Sequence, residues 1–131
     1  RLRQWLQLER EVFYDESRIA IVPMGLCYPG RGRSGDLPPP AACAPLWHER
    51  LLAQMPELAT ILLVGSYAQA YYLGRERGTL AQRVMRWREF APRFFPLPHP
   101  SPRNTLWLRR NPWFEEEVVP ALRRQVGRIL D

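Results

Sequence analysis

Three short apolar runs, residues 19–22, 60–64 and 94–98, alternate along this chain with segments of helical periodicity. The runs are rich in isoleucine, valine, leucine and phenylalanine and are shorter than ordinary helices, so each predicts a strand. Strands that alternate with helices pair in parallel and are covered by those helices. The alternation therefore predicts an α/β fold with a short parallel sheet. A length of 131 residues without a linker predicts a single domain over 1–131.

Helical segments flank the predicted strands. They are the stripe of Leu2, Trp5 and Leu6, a helix over 45–55 with Trp47, Leu51, Leu52 and Met55 on one face, a helix over 67–73 ended by Gly74, a helix opened by a capping box at 79–82, and a last helix with Phe114, Val118, Leu122 and Val126 buried. Arg83, Arg86 and Arg88 lie off the apolar stripe of the fourth helix. Asn111 and Pro112 are residue types that begin helices, so we expect Asn111 to cap the last one.

Three loops follow the predicted strands. Residues 25–40 contain four glycines and four prolines, which predicts a long shaped loop rather than a regular element. The other two are the turn at 65–66 and the proline-rich segment 99–104. Because ligands of parallel sheets bind beyond the carboxyl ends of the strands, we expect 27–36, 65–66 and 99–104 to border a single cleft.

The charge of the chain is concentrated in one segment. The net charge is +6, and all 19 basic residues are arginine. Residues 75–110 hold nine of these arginines against two acidic residues. A GC-rich coding bias is one of two explanations for arginine in place of lysine, but it does not account for this clustering. A basic segment of this kind is typical of a surface that binds a polyanion such as DNA.

Several classes of protein do not fit the sequence. It has no run of about 18 apolar residues and no secretory h-region near its start, so we expect no membrane association and a cytoplasmic location. Cys27 and Cys43 are too few for a four-ligand metal site and are interpreted as reduced thiols. We expect no metal and no cofactor. The sequence also lacks the glycine patterns of dinucleotide and nucleoside triphosphate sites, which argues against a Rossmann-like nucleotide enzyme.

The segment His99-Pro100-Ser101-Pro102-Arg103-Asn104 resembles the second conserved motif of the uracil-DNA glycosylase superfamily. With Arg-Asn after the second proline, it is most similar to the single-strand-selective monofunctional branch. The resemblance extends over about residues 19–103, including the strand–turn–helix at 61–70. It implies a three-layer α/β/α fold and a base-excision repair enzyme that hydrolyses the N-glycosidic bond of uracil or a related damaged base in DNA.

The resemblance also implies roles for single residues. His99 would donate a hydrogen bond to a carbonyl oxygen of the departing base, where negative charge develops. Residues expected to contact DNA are Pro100, Ser101, Pro102, Arg103, Asn104, Arg31, Arg33 and Arg93. Residues expected to line the base pocket are Tyr28, Gly30, Gly65 and Ser66. We expect the partner to be single- or double-stranded DNA, bound by a monomer that associates with the nucleoid when it acts.

Simpler interpretations exist for some of these side chains. Tyr28 would pack beneath its loop, Ser66 would cap the following helix, and Arg31 and Arg33 would be solvated. Asp36 is either a turn former or the one carboxylate in a cleft loop, and His48 is assigned no role.

Members of the family open with a strand and a glycine-containing loop that positions the attacking water, and no segment of this chain resembles them. We therefore expect a sheet without that first strand and a chain that binds DNA but excises bases poorly by itself. The alternative function is a non-catalytic module that binds nucleic acid or nucleotide.

Overall fold

A computed structural model describes residues 1–26, 30–33, 35–75 and 78–130. The chain divides into two compact units, one formed by 1–20 with 59–131 and the other by 21–58. The first unit contains α1 (Leu2–Leu6), α2 (Arg10–Phe13), β3 (Ile61–Val64), α4 (Ser66–Leu73), α5 (Leu80–Met85), α6 (Trp87–Phe90), β4 (Phe94–Leu97), a 3-10 turn (Pro102–Asn104), α7 (Thr105–Arg110), a π-helical turn (Phe114–Val118) and α8 (Val119–Leu130). The second unit contains β1 (Arg31–Gly32), β2 (Gly35–Asp36) and α3 (Cys43–Ala53).

The sheet of the first unit consists of β3 and β4, which pair in parallel from Ile61 opposite Phe94 to Val64 opposite Leu97. Helix α4 packs against β3, and α5 and α6 pack against β4. The apolar core is continuous with this sheet and includes Trp5, Leu6, Phe13, Val84, Phe95, Leu97, Leu108, Phe114, Val118, Val119, Leu122 and Val126. The predicted α/β fold with a short parallel sheet is confirmed.

Two prolines, Pro96 within β4 and Pro98 directly after it, are explained by the hydrogen-bond pattern of the sheet. The Ile61 N–H donates to the Arg93 carbonyl at 2.8 Å, and the Gly65 N–H donates to the Leu97 carbonyl at 2.9 Å. Residues 93, 95 and 97 therefore turn their backbone groups toward β3, and the nitrogens of Pro96 and Pro98 face away from it. A proline is tolerated where its missing N–H lies on the outer edge of a strand.

The capping box of α5 is confirmed. The Thr79 hydroxyl accepts from the Gln82 N–H at 3.2 Å, and the Gln82 side chain accepts from the Thr79 N–H at 2.8 Å. Gly74 ends α4 as predicted. Both outcomes follow from local backbone chemistry that the sequence displays directly.

The last helix buries Phe114, Val118, Leu122 and Val126 as predicted. Its capping by Asn111 is wrong, because the Asn111 side chain donates to the Trp107 carbonyl at 2.8 Å and accepts from the Trp113 indole at 3.2 Å. These contacts place Asn111 at the end of α7, a helix that the sequence analysis missed. The π-helical turn ends two residues before Pro120, whose missing N–H and bulky ring disfavour a regular α-helical turn there.

The predicted strand over 19–22 is wrong. The described part of the chain contains no strand paired with these residues, and the Ile21 side chain is 65% exposed. Pro23 follows this run, and a β-branched run forms a strand only where a neighbour supplies hydrogen bonds. Within the second unit, the 25–40 loop instead contains a two-residue antiparallel pairing of β1 with β2.

Helix α3 confirms the predicted helix, but the residues it buries do not belong to the apolar face of Trp47, Leu51, Leu52 and Met55. Trp47 is 45% exposed, whereas Ala44 and His48 are buried. A ring nitrogen of His48 lies 2.8 Å from the Pro23 carbonyl, and this hydrogen bond allows the histidine to be buried. No helix among the described residues is both long and apolar enough to cross a membrane.

Candidate active site

The loops that follow β3 and β4 meet at the carboxyl end of the sheet. Gly65 follows β3 with a φ of 92°, a conformation that glycine adopts without strain. A Cβ added to Gly65 would lie 3.7 Å from both Cβ and Cδ2 of His99, so the two loops are in contact. The structure thus brings 65–66 and 99–104 together at one edge, as the strand order predicts.

The local hydrogen bonds of His99 define its tautomer. The Ser101 backbone N–H donates to His99 Nδ1 at 3.2 Å. Since a backbone N–H can only donate, Nδ1 is an acceptor, and in the neutral ring the proton lies on Nε2. The side chain is exposed. His99 therefore presents an Nε2–H donor at the carboxyl end of the sheet.

The remaining motif residues stabilise the shape of the loop. The Asn104 side-chain amide donates to the His99 carbonyl at 2.7 Å, and the Ser101 hydroxyl accepts from the Arg103 N–H at 3.2 Å. Pro102 begins the 3-10 turn, where its fixed φ suits the first position. The side chains of Ser101 and Asn104 thus stabilise the loop by hydrogen bonds to its own backbone, while the Arg103 side chain is exposed.

Ser66 does not cap α4. Gly65 occupies the cap position, and no side chain accepts a hydrogen bond from the first turn. Ser66 is instead the first residue of the helix and is exposed. The interpretation of Ser66 as a helix cap is therefore wrong. Ser66 directly follows Gly65, the residue that lies against His99.

A buried pair behind this edge was missed by the sequence analysis. Gln69 is fully buried, and its side-chain amide nitrogen lies 2.8 Å from the Leu97 carbonyl and 3.4 Å from the Leu63 carbonyl. Arg83 is 4% exposed and donates to the Gln69 side-chain oxygen at 2.9 Å and to the Gly78 carbonyl at 2.7 Å. Burial lowers the pKa of the Arg83 guanidinium from its ordinary value. No local sequence pattern predicts this contact, because Gln69 and Arg83 lie 14 residues apart and are both polar.

Arg1 is a third residue that the sequence analysis missed. Its guanidinium donates to the Ser101 carbonyl at 3.4 Å and to the Thr105 hydroxyl at 3.2 Å. Arg1 and Arg103 therefore give the motif loop two exposed cations. Contacts over a separation of 100 residues cannot be deduced from spacing.

The other residues predicted to contact DNA or to line the base pocket are Arg93, Arg31, Arg33, Gly30 and Tyr28. Arg93 precedes β4 and its carbonyl takes part in the first ladder bond, so it lies at the amino end of the strand. Four residues of strand, about 13 Å, separate that end from the His99 loop. Gly30, Arg31 and Arg33 belong to the second unit, and Tyr28 lies outside the described residues. The roles assigned to these residues stay predictions.

The family of the chain is established by comparison with known proteins. The family model described as the uracil DNA glycosylase superfamily matches residues 1–123. The chain belongs to this superfamily, a family of DNA glycosylases. The family membership predicted from the motif at 99–104 is confirmed.

Proposed function

We propose that this protein excises uracil or a related damaged base from DNA and that His99 is its electrophilic donor. The observation that carries the proposal is the hydrogen bond from the Ser101 N–H to His99 Nδ1. It directs the remaining ring proton to Nε2 on an exposed side chain at the edge where ligands of parallel sheets bind. Family membership supports the reaction class.

The chemistry requires a donor of this type. When the C1′–N bond breaks, its electron pair leaves with the base and positive charge develops on the sugar. Water then adds to C1′, and the proton it loses neutralises the base anion, so the products are the free base and an abasic sugar. A neutral imidazole N–H directed at a base carbonyl oxygen stabilises the negative charge that develops on the base. It does so by donating a hydrogen bond, and the imidazole keeps its proton. A preorganised donor at such a position contributes about 2.7–4 kcal/mol to transition-state stabilisation.

The other motif residues have supporting roles in this proposal. Ser66, Ser101 and the backbone held by Pro100 and Pro102 contact phosphates of the strand while the nucleotide is extruded, a step that costs a few kcal/mol. Arg103 binds the strand next to the extruded nucleotide. DNA is the proposed partner, bound by a monomer of one domain, with action in the cytoplasm at the nucleoid.

The proposal is tested by His99→Ala in the full-length protein. Release of labelled uracil from an oligonucleotide should fall by a factor of about 10²–10³, while the affinity for the same oligonucleotide stays nearly unchanged. His48→Ala is the control, since it removes the other histidine of the sequence, and it should leave the rate per folded molecule unaltered. If the wild-type protein excises no base yet binds DNA, the non-catalytic binding function is correct instead.

A further inference from the structure

The carbonyl of Leu97 is the point where the buried Gln69–Arg83 pair meets the motif loop. This carbonyl accepts two hydrogen bonds, from the Gly65 N–H at 2.9 Å and from the Gln69 side chain at 2.8 Å. Leu97 is the last residue of β4, and only Pro98 separates it from His99. Because the proline ring fixes φ, the orientation of the Leu97 peptide is transmitted to His99 through a single stiff residue.

The same glutamine also binds the neighbouring strand. Its amide nitrogen reaches the Leu63 carbonyl, and α4, which carries Gln69, begins beside Gly65. One side chain therefore connects the end of β3, the end of β4 and the helix between them. A change in its position would shift both loops that meet at the candidate site.

Arg83 fixes the orientation of the glutamine amide. A guanidinium has no acceptor, so its donation to the Gln69 side-chain oxygen directs the amide nitrogen toward the strand carbonyls. Among the described residues, no buried side-chain nitrogen or oxygen lacks a hydrogen-bond partner. A fully satisfied buried polar network of this kind is rigid and specifies one arrangement.

We propose that Gln69, oriented by Arg83, is a positioning residue that holds His99 in its productive place. This inference rests on the proposed excision function and adds to it a residue that does not touch the substrate. Small displacements of a catalytic group have large effects, since a misplacement of about 1 Å can reduce a rate about 10²-fold. The network therefore acts on the rate of the bond-breaking step rather than on the affinity for DNA.

The chain offers a matched control for a merely structural role. Gln125 is also a buried glutamine, and its amide nitrogen donates to the Thr60 hydroxyl at 2.8 Å and to the Pro92 carbonyl at 3.1 Å. Gln125 therefore connects the residues that precede β3 and β4, at the end of the sheet opposite His99. Methionine has a volume similar to that of glutamine, so each replacement removes one buried amide and leaves the packing nearly unchanged. A difference in kcat between the two variants therefore reports a positioning role.

The kinetic test compares Gln69→Met with Gln125→Met in the full-length protein. We expect kcat for uracil release to fall ten- to a hundredfold in Gln69→Met, with KM changed by less than about twofold, and to stay near wild type in Gln125→Met. Gln69→Glu is the second variant, because a carboxylate still accepts from Arg83 but cannot donate to Leu97. It should lose kcat as Gln69→Met does. Wild-type kcat in both Gln69 variants, or an equal loss in Gln125→Met, would overturn the proposal.

A spectroscopic test separates this inference from the proposed function. In nitrogen-15 spectra, the imidazole of His99 should show a single Nε2–H tautomer in the wild-type protein and in Gln125→Met. In Gln69→Met and Gln69→Glu it should show a mixture of tautomers, because the loop no longer holds the Ser101 N–H against Nδ1. An unchanged His99 pattern in both Gln69 variants refutes the positioning role even if the protein excises uracil. A mixture supports it even if no excision is found.

Discussion

A buried glutamine amide connects the two strands at each end of the β3–β4 sheet, but the two ends differ in the residues that lie beyond them. At the amino end, Gln125 donates to the Thr60 hydroxyl, which itself donates to the Pro92 carbonyl at 2.6 Å. At the carboxyl end, Gln69 donates to strand carbonyls and is itself held by Arg83. Beyond the carboxyl end lies the exposed His99. The two ends therefore differ in one respect, because a buried cation orients the glutamine only at the end that carries His99.

The largest expected effect on stability comes from the cation at the carboxyl end. Arg83→Met keeps the aliphatic stem but removes the donors to the Gln69 side chain and the Gly78 carbonyl, leaving the buried Gln69 oxygen without this partner. The free energy of unfolding should fall by about 2–4 kcal/mol, since hydrogen bonds from charged donors and unsatisfied buried groups each contribute on this scale. Urea denaturation of the full chain measures this change.

Arg88→Met is the matched control for Arg83→Met. The Arg88 guanidinium is exposed and lies 4.7 Å from the centre of the Trp87 ring. Its loss should cost less than about 1 kcal/mol, the usual contribution of an exposed cation–π contact. Equal effects of the two arginine variants would show that the buried network does not stabilise the carboxyl end.

A smaller effect is expected at the amino end. Thr60→Val conserves volume but removes the hydroxyl that links Gln125 to Pro92. Gln125 keeps its direct contact with the Pro92 carbonyl at 3.1 Å, so the free energy of unfolding should fall by only about 1 kcal/mol. The excision rate should stay at the wild-type value. A tenfold loss of rate in Thr60→Val would break the distinction between the two ends.

The carboxyl end also shows what can be deduced from this sequence and what cannot. The strands at 61–64 and 94–97, the capping box at 79–82 and the contact of Gly65 with His99 follow from local patterns and from the geometry of parallel strands. The Gln69–Arg83 network does not, because two polar residues in short helices carry no periodic signal. Apolar patterning also misassigned residues 19–22, since a strand requires a partner that no local run of residues specifies.

Buried polar side chains are the features of this molecule that the sequence predicts least well. Arg83 lies off the apolar stripe of its helix, and His48 lies on a helix whose apolar residues include the 45%-exposed Trp47. Both polar groups are buried because a specific acceptor is available to them, Gln69 and Gly78 for Arg83 and Pro23 for His48. Such acceptors are supplied by tertiary contacts, so hydropathy alone cannot identify them.

The smallest effect concerns DNA binding, and it compares arginines at the two ends of β4. Arg103 lies in the motif loop and is exposed, whereas Arg93 lies at the opposite end of the strand. If Arg103 contacts a phosphate, Arg103→Ala should reduce the log–log salt slope of binding to a single strand by about 0.7, the value for one contact. Arg93→Ala should change the slope less, because DNA bound at His99 must extend about 13 Å along the sheet to reach it. Fluorescence anisotropy measures both slopes between about 50 and 200 mM salt, where affinities that depend on phosphate contacts fall steeply. Equal slopes for the two variants would mean that the binding surface covers the whole length of the sheet, and binding indifferent to salt would remove DNA as a partner.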